Sequence, residues 1–146
     1  MKRTSPMMPS AVFAATLLVA APAMSVGNYA AMSPLPPEQR QGSVTYMSGG
    51  IGQDEAAAMR REESKFSLTL EFDKQTKPRD QYLSGVDVTI KDHSGNTVLD
   101  AIADGPLLLA NLPDGKYTVI AYDNGQRKKR DVVIAGHQQE RVVFEW

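Results

Sequence analysis

The chain has no cysteine and only two histidines in 146 residues. The first absence removes a thiol nucleophile, a cysteine-ligated zinc site and any disulfide framework. Small exported domains often use disulfides to supplement a small core. This one relies on packing, which a domain of roughly 80 to 100 residues manages with little margin. The second absence leaves only His93 and His137 for acid–base work near neutral pH. Charge of one sign is lacking as well, with 16 Lys and Arg against 17 Asp and Glu. A nucleic-acid binder neutralises several phosphates with clustered cations, so this balance predicts no nucleic-acid partner. No apolar run reaches the ~20 residues of a membrane-spanning helix. The segment Ala11-Val-Phe-Ala-Ala-Thr-Leu-Leu-Val-Ala-Ala21 is about half that length.

That segment is informative for another reason. Lys2 and Arg3 precede it, and Ala21-Pro22-Ala23 follows it. A basic start, a short apolar run and a small-residue exit predict a secretory signal peptide over residues 1–25. No cysteine stands at the exit, which excludes a lipidated terminus, and Lys-Arg is not a twin arginine, which points to the general secretory route. The predicted location is periplasmic or secreted, with no membrane span once the signal is removed. Residues 26–43 carry Pro34, Pro36 and Pro37 and no apolar period, and read as a flexible linker.

Residues 44–65 read as a short strand and a helix. Val44-Thr-Tyr-Met47 is β-prone, and Ser48-Gly-Gly-Ile-Gly52 breaks it. The helix is expected over 54–64, with Asp54 and Glu55 at the positive end of its dipole and Arg60 and Arg61 near the other. Ala56, Met59 and Glu63 share one side, so its apolar stripe is weak. A glycine-rich stretch opening a helix can cradle an anion. Here the Lys-Ser/Thr of a phosphate loop is missing and acids occupy the helix start, so a plain turn is expected.

From residue 66 onward the pattern is β. Phe66-Ser-Leu-Thr-Leu-Glu-Phe72 alternates apolar and polar, which predicts a half-buried strand. Val86, Val88 and Ile90 alternate with Asp87, Thr89 and Lys91. Asp92-His-Ser-Gly-Asn96, Asp104-Gly-Pro106, Leu112-Pro-Asp-Gly115 and Asp123-Asn-Gly125 are turn signals. They separate return strands at 97–101, 107–112, 116–122 and 128–134, and a last strand at 140–146 has Val142, Phe144 and Trp146 on one face. Seven short strands without intervening helices predict a mostly β domain over 66–146, an antiparallel β-sandwich preceded by one short helix.

Two motifs carry a family resemblance. Gly85-Val-Asp-Val-Thr-Ile-Lys-Asp92 with Ser94-Gly95, followed by Leu112-Pro-Asp-Gly-Lys-Tyr-Thr-Val119, is similar to the carboxypeptidase regulatory-like domain. The similarity spans residues 85–134. It implies a transthyretin-like (prealbumin-like) sandwich and carries no catalytic residues. Transthyretin-like hydroxyisourate hydrolases end in Tyr-Arg-Gly-Ser, whereas this chain ends Phe144-Glu-Trp146, so their chemistry does not transfer. Cross-linking adhesin repeats of similar fold place an Asn in the last strand, and none occurs at 140–146.

No catalytic, cofactor-binding or metal-binding set emerges. His93 and His137 both fall in turns. Asp92, Asp114 and Asp123 suit Asx turns better than a calcium site, because no D-x-D-x-D-G spacing occurs. No Gly-x-Ser-x-Gly elbow is present. The one dense charge run is Arg127-Lys-Lys-Arg130, a candidate interaction patch for an acidic surface. Strand alternation splits it, with Arg127 and Lys129 on one face and Lys128 and Arg130 on the other. An edge strand guarded by lysine against aggregation is the plainer reading. Tyr82, Tyr117 and Tyr122 are candidates for polymer or glycan contact where exposed. The expected function is that of a non-enzymatic envelope module binding a protein or polymer, with no cofactor. The alternatives are a small-ligand carrier and an accessory subunit of an envelope enzyme.

Overall fold

A computed structural model describes residues 34–146. The predicted signal peptide and residues 26–33 of the predicted linker lie outside the described residues. Among the described residues, ten strands form two sheets, with one helix between the second and third strand. The larger sheet runs β1 (Gln39–Gln41), β2 (Val44–Gly49), β7 (Leu107–Asn111), β3 (Leu68–Lys74), β10 (Glu140–Glu145); β4 (Gln81–Tyr82) pairs with the end of β3. The smaller sheet runs β6 (Thr97–Ala103), β5 (Val86–Asp92), β8 (Gly115–Asp123), β9 (Gln126–Ile134). Helix α1 spans Gln53–Glu62 and tightens into a 3-10 turn over Glu63–Lys65.

The seven strands expected after residue 66 are all present, as are the early strand and the helix. Their turns follow local chemistry. Asn124 (φ 45°) and Gly125 (φ 80°) form a two-residue connection between Asp123 and Gln126, with positive φ at both positions, as the twist of the β8–β9 hairpin requires. Asp92 Oδ1 accepts the backbone N–H groups of Ser94 and Asn96 at 2.9 Å each, closing the β5–β6 turn. Tyr117, in the Leu-Pro-Asp-Gly-Lys-Tyr motif, buries its ring and donates its hydroxyl to the Pro113 carbonyl at 2.7 Å. Burial pushes the Tyr117 hydroxyl pKa up, and Asp92 and Asp114 add to it.

Three features depart from the sequence reading. Gln39–Gln41, placed in the linker, forms an edge strand. It turns back through Gly42 and Ser43 and pairs with Val44–Tyr46. Its polar residues hide it from a hydrophobic pattern. Next, the sheets are not wholly antiparallel, because β10 runs parallel to β3, with Glu140 opposite Leu68 and Phe144 opposite Phe72. The chain leaves β9 in the smaller sheet and crosses to the larger one, and a crossover of this kind can deliver a parallel strand. Trp146 N–H to the Asp73 carbonyl (3.0 Å) and Gln75 N–H to the Trp146 carbonyl (2.8 Å) extend the ladder. Finally, β3 is buried on both faces. Leu68, Leu70 and Phe72 face the space between the sheets, but Thr69 and Glu71, expected in solvent, are buried too.

The cover on that second face is α1. The main core lies between the sheets, where Leu70, Phe72, Val88, Ile90, Leu108, Val119 and Phe144 pack together. A second core lies on the outside of the larger sheet, where Met59 of α1 and Phe66 pack on Met47, Leu107 and Leu109. Full burial of such side chains contributes about 1.5–3 kcal/mol each. β7 therefore reads Leu-Leu-Leu-Ala because it has an apolar neighbour on either side. Glycine makes one close approach possible: a Cβ on Gly105 would stand 2.3 Å from the Gly49 carbonyl oxygen.

The two open sides of the sandwich are closed by side chains. On one, the Gln41 amide donates to the Asp100 carbonyl (2.7 Å) and accepts its N–H (2.9 Å), joining β1 to β6. On the other, β9 and β10 lie beside the stacked rings of Phe72 and Phe144 (centroids 6.0 Å apart) and the tilted ring of Trp146. No helix among the described residues is long and apolar enough to cross a membrane.

Candidate binding cleft beside the helix

The glycine-rich segment and α1 together line a cleft. Gly50 (φ 94°) and Gly52 (φ 84°) adopt left-handed backbone, which turns the chain out of β2 and into the helix. No side chain caps the helix at Gly52. Glu55 folds back instead, and its Oε1 accepts the N–H groups of Gly50 at 2.7 Å and Ile51 at 3.4 Å. The anion cradle weighed from the sequence thus exists as geometry, and the chain's own carboxylate fills it.

Beyond this turn lies a cleft of about 450 Å³. Pro106 and Leu107 form one wall, and Ala56 and Ala57 of α1 form the other; their small side chains leave the space open. Gln53, Arg60 and Tyr82 supply its polar edge. Tyr82 is 67% exposed, and Ile51, between two lining glycines in the chain, is 64% exposed. A concave, mostly apolar site with a few polar groups at its edge is the usual form of a ligand or anchor pocket, within the ~300–1,000 Å³ such pockets occupy.

Arg60 links the cleft to an ion-pair network. Its Nη2 donates to Glu71 Oε1 at 3.2 Å. Glu71 also pairs closely with Arg141 of β10, which holds Glu63 at 3.0 Å. Burial works against the charge of Arg141, but Glu71 and Glu63 outweigh it and hold the guanidinium more firmly protonated. Four elements are clamped this way: α1, the 3-10 turn, β3 and β10. Asp73, next along the same face of β3, differs. Its Oδ1 is buried without a hydrogen-bond partner among the described residues. Burial, then Glu71, Glu145 and Asp80, push its pKa up, and Arg60 offsets only part of this.

The residues singled out from sequence do not converge. Arg127, Lys128, Lys129 and Arg130 lie on edge strand β9 and split as expected. Lys128 Nζ sits 5.8 Å from the Trp146 ring centroid and the Arg130 guanidinium 5.8 Å from that of Phe144, so this pair closes the sandwich edge. Arg127 and Lys129 face out. His93 lines a depression with Lys116 and Asp131, and His137 lines a separate one with Lys65 and Asn111. Tyr122 and Tyr82 are exposed, whereas Tyr117 is buried and unavailable as a contact. No cluster of three or more His, Cys, Asp or Glu able to hold a metal occurs among the described residues. The sequence reading missed the cleft, although the pair Ala56-Ala57 beside a glycine-rich turn was a visible signal of missing bulk.

No family model matches the chain and no curated protein matches it.

Proposed function

We propose that this protein is an exported, non-enzymatic binding module of the cell envelope, of the carboxypeptidase regulatory-like, transthyretin-like kind. Its recognition site is the cleft between α1 and Pro106-Leu107. That cleft is the observation that carries the reading: an apolar floor, an aromatic rim at Tyr82 and a cation at Arg60 suit an anchor side chain of a partner. The basic, apolar and small-residue N-terminal pattern supports export, and two packed sheets with buried Tyr117 in the Pro-x-Gly-x-Tyr turn support the family reading.

A photo-reactive phenylalanine analogue replacing Ala57 tests the site, with the same analogue at Asn124 as control. Irradiation in the native envelope is expected to give one dominant protein adduct at position 57 and none at 124. Identical adducts from both positions would overturn the reading. The volume also suits a small-ligand carrier. For that reading, a thermal-shift screen is expected to give ligands whose stabilisation disappears when Ala57→Trp fills the cleft.

A further inference from the structure

Among the described residues nothing covers the outer face of the smaller sheet, and its charges have an order. Val86, Val88 and Ile90 of β5 and Tyr117, Val119 and Ala121 of β8 face the core, so the residues between them face out. The ladder sets the outward residues in rows across four strands. In the first row stand Ile102, Asp87, Tyr122 and Arg127, in the order β6, β5, β8, β9. The second holds Asp100, Thr89, Ile120 and Lys129. The third holds Thr97, Lys91, Thr118 and Asp131. Each row carries one acid and one base, on opposite sides of the line between β5 and β8. None of the six takes part in an ion pair among the described residues; Asp131 accepts only the Thr118 hydroxyl, at 2.8 Å. Ile102 (60% exposed) and Tyr122 (45% exposed) lie among them.

We propose that this face binds a second copy of the same chain, through a two-fold axis parallel to the strands between β5 and β8. Such an axis lays β6 on the partner copy's β9 and β5 on its β8. Asp100 then lies over Lys129 of the other copy. Asp87 and Lys91 are offset sideways by one strand spacing, about 4.8 Å, from Arg127 and Asp131 of the other copy, across the roughly 10 Å between facing sheets, a gap that Arg and Lys side chains can span. The reversed sign of the third row is no obstacle, because complementarity holds within each row. Symmetry doubles every contact, giving six opposite-charge pairs around the two tyrosines. A two-fold across the strands would instead set Lys129 against its own copy. Four strands and three rows cover about 400 Å² per copy, so the pairing is weak, with dissociation in the micromolar to millimolar range. This inference does not depend on the cleft.

Sedimentation equilibrium of the purified chain from about 10 μM to about 1 mM covers the affinity such an interface gives. A monomer–dimer equilibrium that weakens with salt is expected. Lys129→Asp alone and Asp100→Lys alone are each expected to weaken it about tenfold or more, and the double variant to return to within about threefold of the parent. The pair Asp87→Lys and Arg127→Asp repeats the test in another row, with circular dichroism confirming that each variant folds. A chain monomeric at the top of the range overturns the proposal. So does a dimer indifferent to Lys129→Asp, and so does a double variant as weak as the singles.

Discussion

The two outer faces of this sandwich come from similar sequence patterns and meet opposite fates. Thr69 and Glu71 on β3 alternate with apolar residues, just as Thr118, Ile120 and Tyr122 alternate on β8. On the larger sheet α1 and its 3-10 turn cover that face, bury Thr69 and Glu71, and add a second core through Met59 and Phe66. On the smaller sheet nothing among the described residues covers the face, and Tyr122 and Ile102 remain exposed. Alternation therefore tells which residues share a face. It does not tell what lies over that face, because the cover comes from a distant segment. A buried Glu71 needs partners, and the cover brings them as Arg60 and Arg141.

The contrast is sharpest in substitutions matched across the two faces. Met59→Ala removes a fully buried side chain from the second core and is expected to cost about 2–5 kcal/mol. Ile102→Ala on the bare face is expected to change stability by less than about 0.5 kcal/mol. Urea denaturation of both variants measures the difference; equal losses would mean that the second core is not a core. Glu71→Ala comes next. It releases two arginines that are each about 40% exposed and can turn to water, so the expected loss is only about 1–2 kcal/mol. At the sandwich edge, Lys128→Ala removes one cation from Trp146 and is expected to cost about 0.5–1 kcal/mol.

The smallest effect is defined by its sign. The raised pKa of Asp73 means that the folded state holds that proton more tightly than the unfolded chain does. Its contribution is favourable in acid and is lost as pH rises through its folded value. Asp73→Asn is therefore expected to stabilise the protein near neutral pH and to make little difference below the ordinary carboxylate range. Thermal melts of both proteins across that span provide the check, and destabilisation at neutral pH would contradict the burial argument.

Much of the fold was legible because its determinants are local. The turns at Asp92, Pro113 and Asn124 announce themselves, and strands β5, β8 and β9 sit where alternation put them. The split of the basic run followed from the same two-residue period. What stayed hidden depends on distant partners or on groups too polar to form a pattern. Gln39–Gln41 is a strand because β2 offers it a ladder. The direction of β10 is set by where the chain returns after β9. The cleft arises where Ala56 and Ala57 face Pro106 and Leu107, some fifty residues later in the chain.

The parallel pairing of β10 with β3 also has a bearing on time. Local hairpins such as β5–β6 and β8–β9 close short loops and can form early, whereas Arg141 must find Glu71 across 70 residues. Closing so long a loop is an entropic cost met before its contacts exist. The β3–β10 seam is therefore expected in the last stage of assembly, with the Glu63–Arg141–Glu71 clasp forming mainly after the transition state. Arg141→Ala is expected to speed unfolding and to leave the rate of folding nearly untouched, as stopped-flow measurements of both rates would show. A protein without cysteine thus has, in β10, a latch in place of a covalent staple, one expected to set how long it stays folded.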